Sequence, residues 1–247
     1  VELSIVIPTL NEVRYLPAAI DSARSRARGG RGPELIVADC GSTDGTAETV
    51  EKCGVHLVWS SPPLDCRAAA CNAGAAHATG DVLLFLDADS LLPYGYDAAI
   101  RRALAEPHVI GGAFEFALAG REWPLRIVEI INRVRYRIWK WYYSDQGLFV
   151  RAGIFRRAGG FPLRRIMETS DLCRILWRHG RLTLIPRLLQ TSPRRFLAGG
   201  VWRVLAEDTL IWGRDLFRLP TEQFSPGYRG DNLRRGGKGD VELFLGK

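Results

Sequence analysis

Short apolar runs alternate with stretches of helical period along the first 106 positions. Leu3-Ser4-Ile5-Val6-Ile7 is a β-branched run closed by Pro8 and Asn11, as in a buried strand entering a loop. Leu16, Ala19, Ile20 and Ala23 then recur at helical spacing, with Pro17 tolerated in the first turn. Leu35-Ile36-Val37-Ala38 predicts a second strand stopping at Asp39. The polar turn Gly41-Ser42-Thr43-Asp44-Gly45 offers caps for a helix carrying Ala47, Val50 and Cys53. A third strand is expected over 55–59, an alanine-rich helix over 66–78, and a fourth strand, the most apolar, at Val82-Leu83-Leu84-Phe85-Leu86. This alternation predicts an α/β fold with a parallel sheet between helices and ligands at the strands' carboxyl ends, where every polar cluster noted so far lies.

Past 107 the pattern changes. Strands are expected at 109–116, 148–150 and 182–185, with a long aromatic and basic helix over 123–143 and another helix over 167–179. The expected organisation is an α/β half at 1–106, a second functional half of the same domain at 107–220, and a basic glycine-rich tail at 221–247, with 225–238 expected to be mobile.

Composition narrows the classes of function. With 47% hydrophobic residues over 247 positions, the chain can bury a full core without staples. The five cysteines lack zinc or disulfide spacing and suit a reducing, cytoplasmic setting. No apolar run is long enough to span a bilayer, which predicts a soluble or peripherally membrane-bound protein. The net charge of +7 favours an anionic partner, but no nucleic-acid recognition element is present. No GxGxxG follows a strand, and Gly237-Lys238 lacks the rest of a P-loop, so dinucleotide and P-loop enzymes are disfavoured.

The main chemical candidate is Asp87-Ala88-Asp89. Strand alternation would turn both carboxylates to one side, able to share Mg²⁺ or Mn²⁺ with a substrate diphosphate. A simple turn with an Asx cap is the ordinary alternative; placement after the most apolar strand favours the site.

Four motifs then appear in order: 4–12 (Ser-Ile-Val-Ile-Pro-Thr-Leu-Asn-Glu), 39–46 (Asp-Cys-Gly-Ser-Thr-Asp-Gly-Thr), Asn72-Ala73-Gly74 and Asp87-Ala88-Asp89. Together they resemble the inverting family 2 glycosyltransferases of the GT-A fold, and Gly147-Leu148-Phe149-Val150-Arg151 with Gly159-Gly160-Phe161-Pro162 extends the resemblance to about residue 196. It implies a GT-A-type, mostly parallel sheet flanked by helices, with a nucleotide-sugar-binding α/β half at 1–106 and a helical acceptor-binding half of the same domain at 107–220. It also implies a nucleotide-diphospho-sugar donor, UDP- or GDP-linked. Pro8, Thr9, Asn11, Glu12, Asp39 and Ser42 would surround the nucleoside, Arg67 would approach the base or phosphates, and Asp87 and Asp89 would bind ribose and metal. Asn11 and Ser42 otherwise serve as helix caps, and Arg67 as a solvated side chain.

On the acceptor side, 143–147, with Asp145, and 167–171, with Glu168 and Asp171, resemble family motifs. The family's usual base is the Asp of a Glu-Asp pair, and Thr169 stands in its place. A threonine hydroxyl is no general base near neutral pH. Three explanations follow: Glu168 or Asp171 has the role; the acceptor is already ionised, as a polyprenyl phosphate would be; or turnover is weak or lost. Arg194 or Arg195 is a candidate clamp for the leaving diphosphate. A nucleotidyltransferase and a nucleotide-sugar-binding protein without turnover are the rival readings. In the 123–143 helix, Trp123, Ile127, Ile130, Ile131, Val134, Ile138, Trp139 and Trp141 interleave with Arg126, Arg133, Arg135, Arg137 and Lys140. A core-facing amphipathic helix is the favoured reading, and contact with an anionic membrane near a lipid-linked acceptor is the other.

Overall fold

A computed structural model describes residues 1–30, 32–60, 67–224, 241, 242 and 244. The glycine-rich segment 225–238, expected to be mobile, lies outside the described residues. The elements run β1 (Leu3–Thr9), α1 (Leu16–Ser25), β2 (Glu34–Asp39), α2 (Thr46–Lys52), β3 (His56–Trp59), α3 (Arg67–His77), β4 (Val82–Phe85), β5 (Ser90–Leu91) and α4 (Tyr96–Leu104). They continue through β6 (Val109–Leu118), α5 (Trp123–Trp139), β7 (Phe149–Arg151), α6 (Ala152–Arg157), α7 (Glu168–Leu176), β8 (Arg181–Thr191), α8 (Arg194–Gly199) and α9 (Val201–Leu216).

The strands form one sheet in the order β3-β2-β1-β4-β7-β6-β8-β5. β3, β2, β1 and β4 pair in parallel, as the alternation predicted. Beyond β4 the sheet is mixed: β7 runs antiparallel to β4 and β6, and β5 antiparallel to β8. The chain lays β2 on one side of β1 and β4 on the other, so a crevice opens at the carboxyl ends of β1 and β4.

Alternation along β1 divides the core. Val6 points into one apolar cluster with Ile36, Leu83, Phe85 and residues of α3 and α7. Ile5 and Ile7 point into the other, with Val37, Leu84 and residues of α1 and α4. Each fully buried side chain of this size contributes roughly 1.5–3 kcal/mol. Two family-like motifs also clasp each other: Asn72 Nδ2 donates to the Phe161 carbonyl at 2.9 Å, and the Phe161 N–H donates to Asn72 Oδ1 at 2.8 Å.

Several boundaries differ from the sequence pattern. The helix expected over 123–143 stops at Trp139, where Lys140 takes a left-handed φ of 54°. β8 runs on to Thr191, beyond the expected 185, because β6 templates its whole length across a register shift. α8 and α9 were not foreseen. The core-facing reading of the long helix needs correction as well: its buried side is Leu125, Val128, Glu129 and Tyr136, while Trp123, Ile130, Ile131, Val134 and Ile138 are exposed. The helix has two apolar faces, and only one is covered by the sheet.

Candidate functional site

The first shaping element is the loop after β1. Asn11 adopts φ 58°. Its N–H donates to Ser42 Oγ at 2.7 Å, and its Oδ1 accepts from the Thr43 N–H at 2.8 Å. Beneath it, fully buried Asp39 accepts hydrogen bonds from Thr9 Oγ1, the N–H groups of Gly41 and Ser42, and Ser42 Oγ, at 2.6–2.8 Å. Asp39 and Ser42 therefore brace the loop from below. Pro8, Thr9, Leu10, Asn11 and Glu12 line a cleft of about 420 Å³, within the range of small-ligand sites.

Asp87, Ala88 and Asp89 line the same cleft. They are brought there by a turn rather than by strand alternation: β4 ends at Phe85, and the Ser90 N–H donates to the Asp87 carbonyl at 3.0 Å. Two guanidinium groups meet these carboxylates. Arg67 Nε donates to Asp87 Oδ1 at 2.8 Å, and its Nη1 reaches Glu168 Oε1 at 3.1 Å and Thr169 Oγ1 at 3.4 Å. Arg194 forks onto Glu12 at 2.6 and 2.8 Å while its Nε lies 3.1 Å from Asp89 Oδ2. Burial opposes the Arg194 charge, but Asp89 and Glu12 overcome it and hold the group above the ordinary guanidinium range.

The carboxylates still outweigh their partners locally. Burial pushes Glu12 up to about 7 despite Arg194, with repulsion from Asp89 and Asp87 adding to the rise. Asp89 is raised for the same reasons, burial first, Arg194 opposing and Asp87 adding. This is a place where further positive charge lowers the energy. Among the described residues no set of three or more His, Cys, Asp or Glu converges on a metal-sized point. Asp87 and Asp89 offer hard carboxylate oxygens of the kind a divalent ion takes.

The opposite wall comes from the second half of the chain. It includes Tyr143, Ser144, Asp145, Arg165, Glu168, Thr169, Arg195 and, unforeseen from sequence, Asn132 and Arg135 of α5 and Asp208, Ile211 and Trp212 of α9. Asp145 is half-buried, and burial pushes its carboxyl up to about 7, with Arg135 and Arg195 opposing and Asp87 and Asp208 adding. The Tyr143 hydroxyl and the Trp212 indole N–H are buried without a hydrogen-bond partner among the described residues. Each unmet group costs about 1–3 kcal/mol, which a bound ligand can recover.

Among the acceptor-side candidates one sits elsewhere. Asp171 does not line the cleft; it pairs with Arg164 at 2.7 Å and Arg174 at 2.8 Å, in a network completed by buried Asp215. Helical spacing separates it from Thr169, since a side chain two residues on lies about 200° round α7. At the 194–195 pair, Arg194 reaches the acidic cluster, whereas Arg195 pairs with Asp208 on the cleft wall. A pair of adjacent arginines carries no signal of which one turns inward.

Comparison with known proteins accords with this geometry. The chain is 31% identical over 187 residues to the PGL/p-HBAD biosynthesis glycosyltransferase of Mycobacterium tuberculosis (strain ATCC 25177 / H37Ra), covering 72% of this chain and 59% of that protein. It is 28% identical over 200 residues to the undecaprenyl-phosphate 4-deoxy-4-formamido-L-arabinose transferase of Klebsiella pneumoniae (strain 342), covering 78% of this chain and 57% of the relative. The chain thus spans somewhat over half the length of these curated relatives. Among solved structures, the mannosyltransferase PcManGT from Pyrobaculum calidifontis, in complex with GDP-Man and Mn²⁺, superposes with a TM-score of 0.67 at 22% identity, over 99% of this chain and 73% of that one. Glucosyl-3-phosphoglycerate synthase from M. tuberculosis, with Mn²⁺ and UDP among its ligands, gives 0.62 at 18% identity, over 89% and 81%. These two establish the GT-A fold. The model of Glycosyl transferase family 2 matches residues 4–167, and the chain belongs to that family.

Proposed function

We propose that the chain transfers a glycosyl group from a nucleoside-diphosphate sugar, UDP- or GDP-linked, to an anionic acceptor of the polyprenyl phosphate class. The observation that carries the donor half is the paired arrangement of Arg67 with Asp87 and of Arg194 with Glu12 and Asp89 at the end of β4. Pro8, Thr9, Asn11 and Glu12 bound the nucleoside side, with Asp39 and Ser42 fixing the loop. Asp87 and Asp89 would hold Mg²⁺ or Mn²⁺, which when bound neutralises charge on the diphosphate. Arg67 and Arg194, paired with the acidic cluster, would add positive charge beside the diphosphate as that charge develops.

The acceptor half rests on Thr169, Arg135, Arg165 and Arg195. No carboxylate occupies the position of the usual base, and these three guanidinium groups line the wall where an acceptor would enter. A phosphate monoester is ionised near neutral pH and attacks the anomeric carbon without surrendering a proton; its oxygen forms the new bond as the nucleoside diphosphate departs. The Tyr143 hydroxyl and Trp212 N–H would donate to its oxygens. The relative acting on undecaprenyl phosphate supports this choice. A glycosyl-transfer assay with a polyprenyl phosphate and a panel of UDP- and GDP-sugars tests it: sugar-lipid product is expected, and nucleotide binding without product would favour a binding protein.

A second reading has its own observation. Asp145 lies in the cleft with its carboxyl pushed up to about 7, the range of a working general base. It would then deprotonate a hydroxyl acceptor, and transfer to simple alcohols rather than to phosphates would be its signature.

A further inference from the structure

The outer face of α5 and α9 carries an apolar surface that the cleft does not use. On α5 the exposed or half-buried residues Trp123, Ile127, Ile130, Ile131, Val134 and Ile138 recur at i, i+4, i+7, i+8, i+11 and i+15. On α9, Trp202, Ala206, Thr209, Leu210, Gly213 and Phe217 repeat the same spacing. Each set is one helical stripe, opposite the buried Leu125, Val128 and Tyr136 of α5 and the buried Val204, Ile211 and Asp215 of α9. The two helices run side by side. Trp123 meets Trp202 with ring centroids 5.7 Å apart, and Trp139 meets Trp212 at 4.9 Å. Between them Ile131, Trp202, Leu210, Phe217 and Leu219 line an open groove. Trp123 is 67% exposed and Phe217 75%, too much large apolar surface in one place to be a scatter of single residues.

Charge identifies the occupant. By helical position Arg133 stands about 60° round α5 from Ile130, and Arg203 about 20° round α9 from Leu210, so cations edge both stripes. Arg137 extends the α5 edge, Lys140 and Arg218 stand exposed at the helix ends, and Arg214 closes the groove. Glu115 partners both Arg133 and Arg137, and the exposed acids of the two segments are Glu122 and Glu207. An apolar centre with tryptophans and a cationic rim matches the lipid–water boundary of an anionic bilayer.

We propose that the α5–α9 face docks on an anionic membrane surface, its apolar stripes entering the acyl boundary and its arginines meeting lipid phosphates. No described helix is long and apolar enough to cross a membrane, so this contact is interfacial. The same helices place Asn132, Arg135, Ile211 and Trp212 on the wall of the cleft, which would sit beside the bilayer. The inference stands whether or not the donor and acceptor readings hold.

Vesicle flotation of the whole chain tests it, using phosphatidylcholine alone and phosphatidylcholine with about a third phosphatidylglycerol. The chain is expected to float with the anionic vesicles at low salt and to be released in large part at about 0.5 M salt. Val134→Asp combined with Leu210→Asp, both at exposed positions, should lower the bound fraction at least roughly tenfold. Lys140→Glu with Arg203→Glu should abolish the preference for anionic lipid. Both variants should melt like the parent and keep its affinity for nucleoside diphosphates. Wild-type chain that ignores both vesicles would overturn the proposal. So would a dimer in light scattering that Val134→Asp with Leu210→Asp splits, since a second copy would then cover the face.

Discussion

Thr169 stands where the family pattern would place the base, and it offers a discriminating substitution. Its hydroxyl lies 3.4 Å from Arg67 Nη1 and 3.3 Å from Glu168 Oε1. Thr169→Asp would add a negative charge beside Glu168, repelling an ionised acceptor. Transfer to polyprenyl phosphate should fall about tenfold or more, equivalent to roughly 1.4 kcal/mol; a gain in transfer to alcohols would instead restore the base-dependent reading. Asp145 gives the complementary test. If it is a base, kcat/KM must rise as pH climbs through about 7, because only its deprotonated form accepts a proton, and Asp145→Asn should cost about 10²–10⁴-fold. With a phosphate acceptor the Asn variant should keep most of its activity near neutral pH. At this scale the acidic pair and the Pro8 to Glu12 loop were legible as cleft-lining positions because each follows an apolar parallel strand, whose carboxyl end opens on the cleft. Arg194 was harder to single out: it meets Glu12 across 182 positions, and only the fold decides which of two adjacent arginines turns inward.

The elements explain why the cleft keeps its shape. α7 and α9 are tied by Asp215, which is 1% exposed and binds Arg174 at 2.7 Å and Arg164 at 3.0 Å, and which accepts from Ser170 Oγ at 2.9 Å. Both guanidinium groups keep Asp171 when Asp215 is removed, so Asp215→Ala should lower unfolding free energy by about 1–3 kcal/mol, read from urea denaturation. On the other wall, α3 packs so tightly on β1 that a Cβ at Gly74 would lie 2.4 Å from Val6 Cγ1. Gly74→Ala should cost about 1–3 kcal/mol by the same measurement. Periodicity revealed the parallel strands and the helices between them, since their apolar spacing reports burial directly. It misjudged α5, because apolar spacing looks the same whether the face it marks meets a core or something else. α9 escaped notice because its exposed stripe is diluted by Ala206, Thr209 and Gly213.

For the whole molecule, one sheet joins a cleft wall built from β1, α3 and β4, proposed to take the donor, to one built from α5, α7 and α9, proposed to take the acceptor. The acidic cluster of Glu12, Asp87 and Asp89, held by Arg67 and Arg194, lies where the two meet. Its most direct test is calorimetric titration of UDP and GDP into wild-type chain and Asp89→Ala, each with and without Mn²⁺. The account predicts that one nucleotide binds wild-type chain more tightly when Mn²⁺ is present and that Asp89→Ala loses this metal-dependent gain. Equal affinity of the two proteins in Mn²⁺, or no binding of either nucleotide by wild-type chain, would contradict it.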